Sequence, residues 1–394
     1  MGSLDIGVAG AGIGGLALAS LLADRGHRVT VFDRFERPAP VGSGLVIQPV
    51  GQAVLDRIGL GVSARAEGAP VWRMLGHEAD HGRRVLDVVY GPGGGARYGL
   101  GIHRASLFDL LLAAAEARRV DLRSGCAVAG ARDGVLRLAD GKDERFDLVV
   151  DATGAGSPIA PLEARALPFG AVWGTVDWVP DVLPEGQLTQ RYRRADRMAG
   201  VLPCGRGKAA IFWSLPVGAY DGWRQAGLVR WREEIAALWP EALPFFEQVG
   251  GVDQMTMARY GHGTLRRPYA SRLAIIGDAA HRASPQLGQG ANMALLDAWA
   301  LALALEGRPV AEALRVYGQA RRWHVRAYQA MSRAFTPQYQ SDSRVLPWLR
   351  DRVLFPVSRV PPVPRILTAL VCGTMLPPLG SLEPRETALA DRPA

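Results

Sequence analysis

A glycine-rich turn near the N-terminus constrains the fold of this chain more than any other feature of its sequence. It lies between an apolar segment, Leu4–Ala9, and a helical segment that ends at Gly26, and a second strand-like segment, Arg28–Asp33, follows. Strand, helix and strand in this order form a βαβ unit with two parallel strands. The turn has glycines at positions 10, 12 and 15, which match the pattern Gly-x-Gly-x-x-Gly. The sequence therefore predicts a Rossmann-like domain that binds a dinucleotide.

Each part of the turn has its own physical task. Gly10 permits the tight turn, Gly12 lets the backbone approach a pyrophosphate, and Gly15 lets the helix pack closely on the strand. Around Ile13 and Gly14, the start of the helix offers free N–H groups and the positive end of the helix dipole to a phosphate.

An acidic residue ends the second strand of this unit. Asp33 follows Gly15 by eighteen residues and is placed to accept hydrogen bonds from a ribose 2′-hydroxyl. The glycines and this carboxylate fit FAD and NAD equally well, so the turn does not choose between the two dinucleotides.

The composition predicts a folded chain of two or three domains. Of its 394 residues 48% are hydrophobic and 21% charged, which supplies a sizeable core and excludes wholesale disorder. Cys126, Cys204 and Cys372 lie far apart and lack Cys-x-x-Cys spacing. We therefore expect neither a disulfide framework nor a metal site, and the free thiols fit a reducing cytoplasm.

The net charge of +8 comes almost entirely from arginine, since Lys142 and Lys208 are the only lysines. No basic run is interleaved with aromatic residues, so no nucleic-acid partner is predicted. No targeting segment is apparent, and no stretch reaches the ~20 apolar residues that span a bilayer. The apolar segment Ile366–Leu379 is short and interrupted by prolines. We expect it to pack against the body of the protein, and contact with a membrane surface or a lipophilic ligand is the alternative.

A second motif follows another short apolar strand, Leu273–Ile276. The strand runs into Gly277-Asp278-Ala279-Ala280-His281, and Pro285, Gly288, Gly290 and Asn292 come soon after. A strand that ends in Gly-Asp presents a carboxylate suited to a polyol hydroxyl. The helix that begins near Gly290 directs its N–H groups and dipole toward anionic charge on a bound ring, such as the N1–C2 edge of a reduced flavin.

Together these motifs resemble the group A flavoprotein monooxygenases, the para-hydroxybenzoate hydroxylase-like family. The resemblance rests on Gly10–Gly15, Asp33, Arg104 and the two stretches Gly277–His281 and Pro285–Asn292. It implies FAD as the cofactor, with Asp33 on the adenosine ribose, Arg104 near the pyrophosphate and Asp278 on the ribityl chain. It also implies further FAD-contacting positions: Arg34, Gly42–Leu45 (Gly44 and Leu45 above all), Val128, Pro285, Gly288, Gln289, Gly290, Ala291 and Asn292.

The family resemblance also implies the domain organisation. We expect an α/β fold: a discontinuous Rossmann-like FAD-binding domain (1–70, 100–165 and 262–335), interrupted by a mostly β substrate domain (71–99 and 166–261), with a helical C-terminal region (336–394). Turn signals at Asp133-Gly134 and Asp140-Gly141 predict an antiparallel meander over 120–151. Helices are predicted over 50–58, 103–117, 220–238, 290–305 and 310–335. On the last helix we expect a solvated arginine face: Arg315, Arg321, Arg322, Arg326 and Arg333.

One departure from the family pattern concerns the strand that ends at Val150. The family often has Gly-Ala-Asp-Gly there, whereas this chain has Asp151-Ala152-Thr153-Gly154. The family's aspartate is implicated in FAD and reduced-nicotinamide binding, so Thr153 leaves the route of hydride delivery open. Asp151 either takes over part of this role or caps the end of the strand.

The resemblance implies an FAD-dependent monooxygenase that uses NAD(P)H and O2, through a flavin C4a-hydroperoxide, to hydroxylate an electron-rich, aromatic small molecule. A reductase of the same fold remains the alternative. A halogenase is less favoured, because no lysine precedes Lys142 and Trp178-Val179-Pro180 only partly matches the halogenase segment. A nicotinamide dehydrogenase or a redox-inactive binding protein would purify without a yellow chromophore.

Substrate residues are expected on the β layer that covers the flavin ring in this family. No catalytic base, substrate identity or choice between NADH and NADPH follows from the sequence, and a monomer and a homodimer both fit it. The aromatic and hydroxyl-bearing candidates on this layer are Trp173, Thr175, Tyr192, Phe212 and Trp213.

Overall fold

The computed structural model describes residues 2–36, 43–91 and 96–382 of the chain. Gly42 and most of the Gly91–Gly95 run lie outside these ranges. Within them the strands are β1 Asp5–Ala9, β2 Arg28–Phe32, β3 Gly44–Ile47, β4 Ala69–Val71, β5 Arg73–Glu78, β6 Arg84–Val89, β7 Gly99–His103, β8 Asp121–Arg123, β9 Val128–Arg132, β10 Val135–Leu138, β11 Asp143–Arg145, β12 Leu148–Asp151, β13 Arg165–Asp177, β14 Gln187–Arg193, β15 Arg197–Gly205, β16 Lys208–Pro216, β17 Thr256–Thr264, β18 Tyr269–Ala270, β19 Leu273–Ile275 and β20 His281–Arg282.

The helices of the described residues lie mostly between the strands in the first half of the chain and dominate its end. A single π-helical turn, Arg350–Leu354, joins the ninth helix to the tenth. The helices are α1 Ile13–Ala23, α2 Pro49–Ile58, α3 Gly61–Glu67, α4 Arg104–Ala117, α5 Tyr220–Leu238, α6 Leu243–Phe246, α7 Gly290–Leu305, α8 Val310–Tyr339, α9 Val345–Leu349, α10 Phe355–Ser358 and α11 Val363–Cys372.

A six-stranded sheet with the order β18-β19-β12-β1-β2-β8 forms the centre of the Rossmann-like part. Its strands are parallel except for the edge strand β18. Ile6 and Val8 face a core that includes residues of α1, α4 and α7, whereas Ala9 and Phe32 face the small sheet β9–β11 on the other side. Burial on both faces explains why these strands are almost continuously apolar.

The antiparallel meander is shorter than the sequence predicts. Only β9, β10 and β11 pair antiparallel, with turns at the two predicted Asp-Gly pairs. The flanking strands β8 and β12 pair in parallel with β2 and β1. All four residues of β12 are buried, and such a strand is more stable inside the central sheet than at the edge of a solvated meander.

The second large sheet has the order β20-β17-β13-β16-β15-β14-β5-β6. One face packs on α5 and α6 through a core that contains Trp213, Trp231 and Ile235, and the opposite face carries Phe212 and Tyr192. The fold is therefore the α/β architecture with an inserted β-rich part and a helical C-terminal region that the sequence predicts. The domain boundaries given above remain a prediction.

One prediction about the long helix α8 is wrong. Arg315, Arg322 and Arg333 are exposed, but Arg321 is buried. Its guanidinium pairs with the carboxylate of Asp297 on α7, at 2.7 Å between Nε and Oδ1. A helical period places a residue on a face, but it does not reveal that a neighbouring helix offers a buried charge there.

Candidate active site

A cavity of about 920 Å³ runs between the central sheet, the eight-stranded sheet and the C-terminal helices. Its size is at the upper end of what small-molecule sites require. The predicted nucleotide turn opens one part of it, and aromatic side chains of the second sheet line another.

The glycine turn has the geometry that the sequence implies. Gly10 has a φ of +104°, and its N–H donates to the carbonyl of Phe32 at 2.7 Å. A Cβ on Gly15 would lie 2.0 Å from the Gly10 carbonyl oxygen, so glycine is required there for packing. A Cβ on Gly12 would meet no atom within 4 Å, although Gly12 lines the cavity. The space beside Gly12 is therefore open to a bound group.

The helices α1 and α7 both begin at the cavity. The first turn of α1 contains no acidic residue and has no side-chain cap, and the same holds for α7. Uncapped N–H groups and the dipoles of both helices therefore favour an anionic group there. Arg104, the first residue of α4, also lines the cavity.

Asp33 and Asp278 present carboxylates to the same cavity. Asp33 accepts hydrogen bonds from the backbone N–H groups of Ala11 at 2.8 Å and Phe35 at 3.0 Å, and a carboxylate has capacity for more. The side chain of Asp278 has no hydrogen-bond partner among the described residues. It is exposed to the cavity but surrounded by protein. Desolvation therefore raises the pKa of Asp278, against the opposing attraction of His281 and Arg104.

These features fit FAD. The open space beside Gly12, the two uncapped helix N-termini and the unpartnered carboxylate of Asp278 match a pyrophosphate, an electron-rich ring and a polyol chain. Most of the predicted cofactor positions line the cavity: Gly10, Gly12, Ile13, Gly14, Asp33, Arg34, Gly44, Leu45, Arg104, Val128, Asp278, Pro285, Gly288, Gln289, Gly290 and Ala291.

Gly15 and Asn292 do not line the cavity but pack behind the segments that form its wall. Asn292 is fully buried, and its Oδ1 accepts from the Gln48 N–H at 2.8 Å. Its Nδ2 donates to the carbonyl of Gly288 at 2.8 Å. Asn292 therefore fixes the loop before α7, in which Gly288 has a φ of +59°.

A buried ion-pair network supports the loop that carries Asp278. Asp297 accepts from His281 at 2.5 Å, from the Gly277 N–H at 2.9 Å and from Arg321. Burial by itself raises the pKa of Asp297, but His281 and Arg321 outweigh it and lower the pKa to about 2. Burial by itself lowers the pKa of His281, and Asp297 reverses this and raises it. Arg321 also donates to the carbonyl of Pro378, so the network ties the C-terminal segment to the site.

Asp151 holds the loop that follows strand β12. It is fully buried, and its Oδ1 accepts from the hydroxyl of Thr153 at 2.6 Å and from the Thr153 N–H at 3.0 Å. Its Oδ2 accepts from Ser157 at 2.5 Å. Of the two roles that the sequence left open, this geometry is that of a cap. Thr153 itself lines the cavity.

Three of the five predicted substrate residues line the cavity. Trp173 and Phe212 pack with ring centroids 4.6 Å apart, and Trp173 Nε1 donates to the hydroxyl of Tyr260 at 2.9 Å. Tyr192 lies against Tyr339 of α8 with centroids 5.2 Å apart. Together with Tyr260 and Tyr339, these three aromatic residues line the cavity.

The other two predicted substrate residues face elsewhere. Trp213 is buried against α5 and α6, because successive side chains of β16 point to opposite faces and Phe212 takes the cavity side. Thr175 lies in a smaller groove, with its hydroxyl 3.0 Å from His103 Nε2.

Several cavity residues are absent from the positions predicted above. Leu188 and Gln190 share the face of Tyr192 on β14, so a period of two in the strand offered a signal for them. Nothing local indicates the residues contributed by the C-terminal helices, because these depend on how α8 and α11 pack. The cavity residues from these two helices are Phe335, Tyr339, Leu367, Leu370 and Val371.

Comparison with known proteins agrees with this geometry. The family model described as FAD binding domain matches residues 3–333. The chain belongs to this family. FAD is its cofactor, and the resemblance to the group A flavoprotein monooxygenases is confirmed. No helix of the described residues is both long and apolar enough to cross a membrane.

Two named enzymes are similar to this chain in sequence. The 3-amino-4-hydroxybenzoate 2-monooxygenase of Streptomyces cremeus is 33% identical, over 80% of this chain and 82% of the relative. The 2-heptyl-3-hydroxy-4(1H)-quinolone synthase of Mycobacteroides abscessus is 28% identical, over 84% and 88%.

Two solved structures have a similar fold. PqsL of Pseudomonas aeruginosa in complex with 2-aminobenzoylacetate superposes with a TM-score of 0.76 at 26% identity, covering 86% of this chain and 97% of PqsL. An FAD complex of Klebsiella pneumoniae HpxO gives 0.80 at 22% identity, covering 96% and 100%.

Proposed function

We propose that this enzyme hydroxylates an uncharged, largely apolar aromatic compound, with NAD(P)H as reductant and O2 as oxygen source. The distribution of charge around the cavity carries the proposal. Among the described residues, the charged side chains that line it are Asp33, Arg34, Arg104 and Asp278. All four belong to the Rossmann-like part, so the wall formed by the large sheet, α8 and α11 is uncharged over its described length.

An uncharged wall selects against carboxylate substrates. A carboxylate moved from water into such a wall would lose its hydration without gaining a cationic partner, which is costly. Aromatic rings gain from packing on Trp173, Phe212 and Tyr192. Orientation falls to neutral groups: the Nε2 of Gln286 and the Oε1 of Gln289 are buried without a hydrogen-bond partner in the described part of the chain.

We also propose which residues bind each part of FAD. When bound and reduced, FAD supplies the oxygen-activating chemistry, and the protein contributes orientation, exclusion of water and electrostatics. Asp33 binds the adenosine ribose, Asp278 the ribityl chain, and Gly12 with Arg104 the pyrophosphate. Val128 lies near the adenine, and the remaining positions surround the flavin ring: Gly44, Leu45, Pro285, Gly288, Gln289, Gly290 and Ala291.

The relatives' names support an aromatic substrate, but the compounds in these names differ in charge. One is named for a benzoate and the other for an alkylated quinolone, which is uncharged. The uncharged wall of this chain favours the second kind of compound.

Matched substrate pairs test this proposal. We expect 2-aminophenol and 2-alkyl-4-quinolones to stimulate NAD(P)H consumption more than 3-amino-4-hydroxybenzoate and quinolone carboxylates. We expect labelled dioxygen to leave one labelled oxygen atom in the product. A preference for the carboxylates contradicts the substrate class, and an unlabelled product favours the reductase alternative.

A pair of isosteric variants locates the effect in the cavity. Tyr192→Phe removes a cavity hydroxyl that donates to Gln190 at 2.9 Å, and Tyr317→Phe removes a remote one that donates to the Ile275 carbonyl. Each loses one neutral hydrogen bond, worth about 0.5–1.5 kcal/mol. Only Tyr192→Phe is expected to change the KM for the best substrate.

A further inference from the structure

The C-terminal segment before and within α11 exposes an unusual amount of apolar surface. Of thirteen large hydrophobic side chains that are exposed in the described residues, seven lie between positions 345 and 366. Trp348 is 60% exposed and Val345 70%. We call these seven residues the C-terminal apolar surface: Val345, Trp348, Val353, Leu354, Val357, Val360 and Ile366. A concentration of this kind marks an interaction surface in soluble proteins.

The exposed charges of this surface are mostly positive. Arg344, Arg352, Arg359 and Arg365 are exposed and form no ion pair with a described residue. Asp342 is exposed at the start of the segment, and the only other carboxylate between positions 342 and 366 is Asp351. It is already paired with the buried Arg350, at 2.6 Å between Nε and Oδ1. Apart from Asp342, the charged and large apolar side chains that the segment exposes are therefore arginines and hydrophobic residues.

This charge pattern disfavours a second copy of the chain as the partner. A two-fold dimer places the same patch of each copy against the other. The four exposed arginines of this surface would then face arginines, and Asp342 is the one free carboxylate of the segment that could compensate. A partner with dense negative charge and a soft apolar interior avoids this repulsion.

An anionic lipid bilayer has these two properties. Short helices that lie in a membrane interface bury apolar side chains below the headgroups and place basic side chains among anionic lipids. Tryptophan is enriched at this depth. Arginine side chains can extend to the headgroups while their stems remain in the apolar layer.

The surface is also continuous with the wall of the active-site cavity. On α11, Ile366 is 48% exposed, whereas Leu367, Leu370 and Val371 line the cavity. One helix therefore separates the cavity from the apolar surface.

We infer that the C-terminal apolar surface docks this enzyme peripherally on anionic lipid bilayers, with α9, α10 and the start of α11 at the interface. The inference concerns binding to lipid and does not depend on the substrate proposed above.

Vesicle flotation of the full-length, FAD-loaded protein tests the inference. We expect co-flotation with vesicles of phosphatidylcholine and phosphatidylglycerol at 3:1, and much weaker co-flotation with phosphatidylcholine alone. Arg352→Gln combined with Arg359→Gln should lower the partition coefficient about thirtyfold. Trp348→Glu combined with Val357→Glu should abolish binding.

A control variant and a measurement of mass separate the outcomes. Val229 on α5 is 72% exposed and lies outside the surface, so Val229→Glu should float like the wild type. Retained FAD absorbance shows that each variant is folded. Equal flotation of the Trp348 and Val357 double variant and the wild type overturns the inference. A second result would also overturn it: the wild type binds no anionic vesicles and has the mass of a dimer in solution, whereas the double variant has the mass of a monomer. The surface would then be a homodimer interface.

Discussion

At the scale of single residues, the carboxylates of Asp151 and Asp297 bind protein groups, whereas that of Asp278 is free to bind a ligand. Asp151 and Asp297 are buried and satisfied by neighbouring donors. Asp278 has no partner among the described residues, although His281 and Arg104 attract its charge. The tertiary structure therefore leaves Asp278 available for hydroxyl groups of the cofactor.

We expect Asp278→Ala to weaken FAD binding by about 1.5–3 kcal/mol, because a hydrogen bond to a charged group is lost. Titration of the apoprotein with FAD, followed by flavin fluorescence, measures this directly. Asp278→Asn keeps a hydrogen-bonding side chain of the same shape and should lie between the two. A wild-type dissociation constant for Asp278→Ala would remove the ribityl assignment.

At the scale of elements, the first βαβ unit contains glycines of two kinds. The Cβ of an alanine at position 15 would collide with the Gly10 carbonyl, whereas one at position 12 would point into open space. Gly12 also has an ordinary φ of −80°. The fold therefore needs the glycine at position 15, whereas the one at position 12 leaves room for the phosphate that we propose there.

Alanine at each position should separate these requirements. Gly15→Ala is expected to destabilise the apoprotein by about 1–3 kcal/mol, because it overpacks the contact between helix and strand. Gly12→Ala should leave the apoprotein within about 1 kcal/mol of the wild type but weaken FAD binding strongly. Urea denaturation and FAD titration of both variants check this. Equal loss of stability in the two would argue against a separate phosphate role for Gly12.

At the scale of the whole molecule, the network around Asp297 joins parts of the chain that are far apart in sequence. It connects the Gly277 loop, α7, α8 and the carbonyl of Pro378. Removal of Asp297 would leave Arg321 as a buried, unpaired charge. We expect Asp297→Ala to destabilise the protein by about 3–5 kcal/mol. Asp143→Ala, which breaks an exposed pair with Arg137, should leave the melting temperature unchanged.

The same network should make stability sensitive to acid. The pKa of Asp297 is lowered from 3.8 to about 2 in the folded protein. Its contribution is therefore complete above the unfolded value and is lost as the pH falls from about 4 toward 2. Denaturation curves of the wild type should show a steeper loss of stability over this range than those of Asp297→Asn. Parallel slopes for the two proteins would contradict the lowered pKa.

The sequence by itself determined the features that depend on neighbours in the chain. Strand, glycine turn and helix follow each other within the first 33 residues, and turn chemistry at Asp133-Gly134 and Asp140-Gly141 predicts the hairpins. The stretch from Gly277 to Asn292, to which we assign the second half of the cofactor site, is predicted for the same reason. Backbone conformation and hydrophobic period are local properties, so local patterns predict them.

Only the tertiary structure decided the features that depend on distant partners. The pleat register of β16, set by its neighbouring strands, turns Phe212 to the cavity and Trp213 to the helices. The carboxylate of Asp297 on another helix lets Arg321 be buried, and the packing of α11 closes the cavity with Leu370. In each case the deciding contact joins residues that are far apart in sequence, and no local period encodes such a contact.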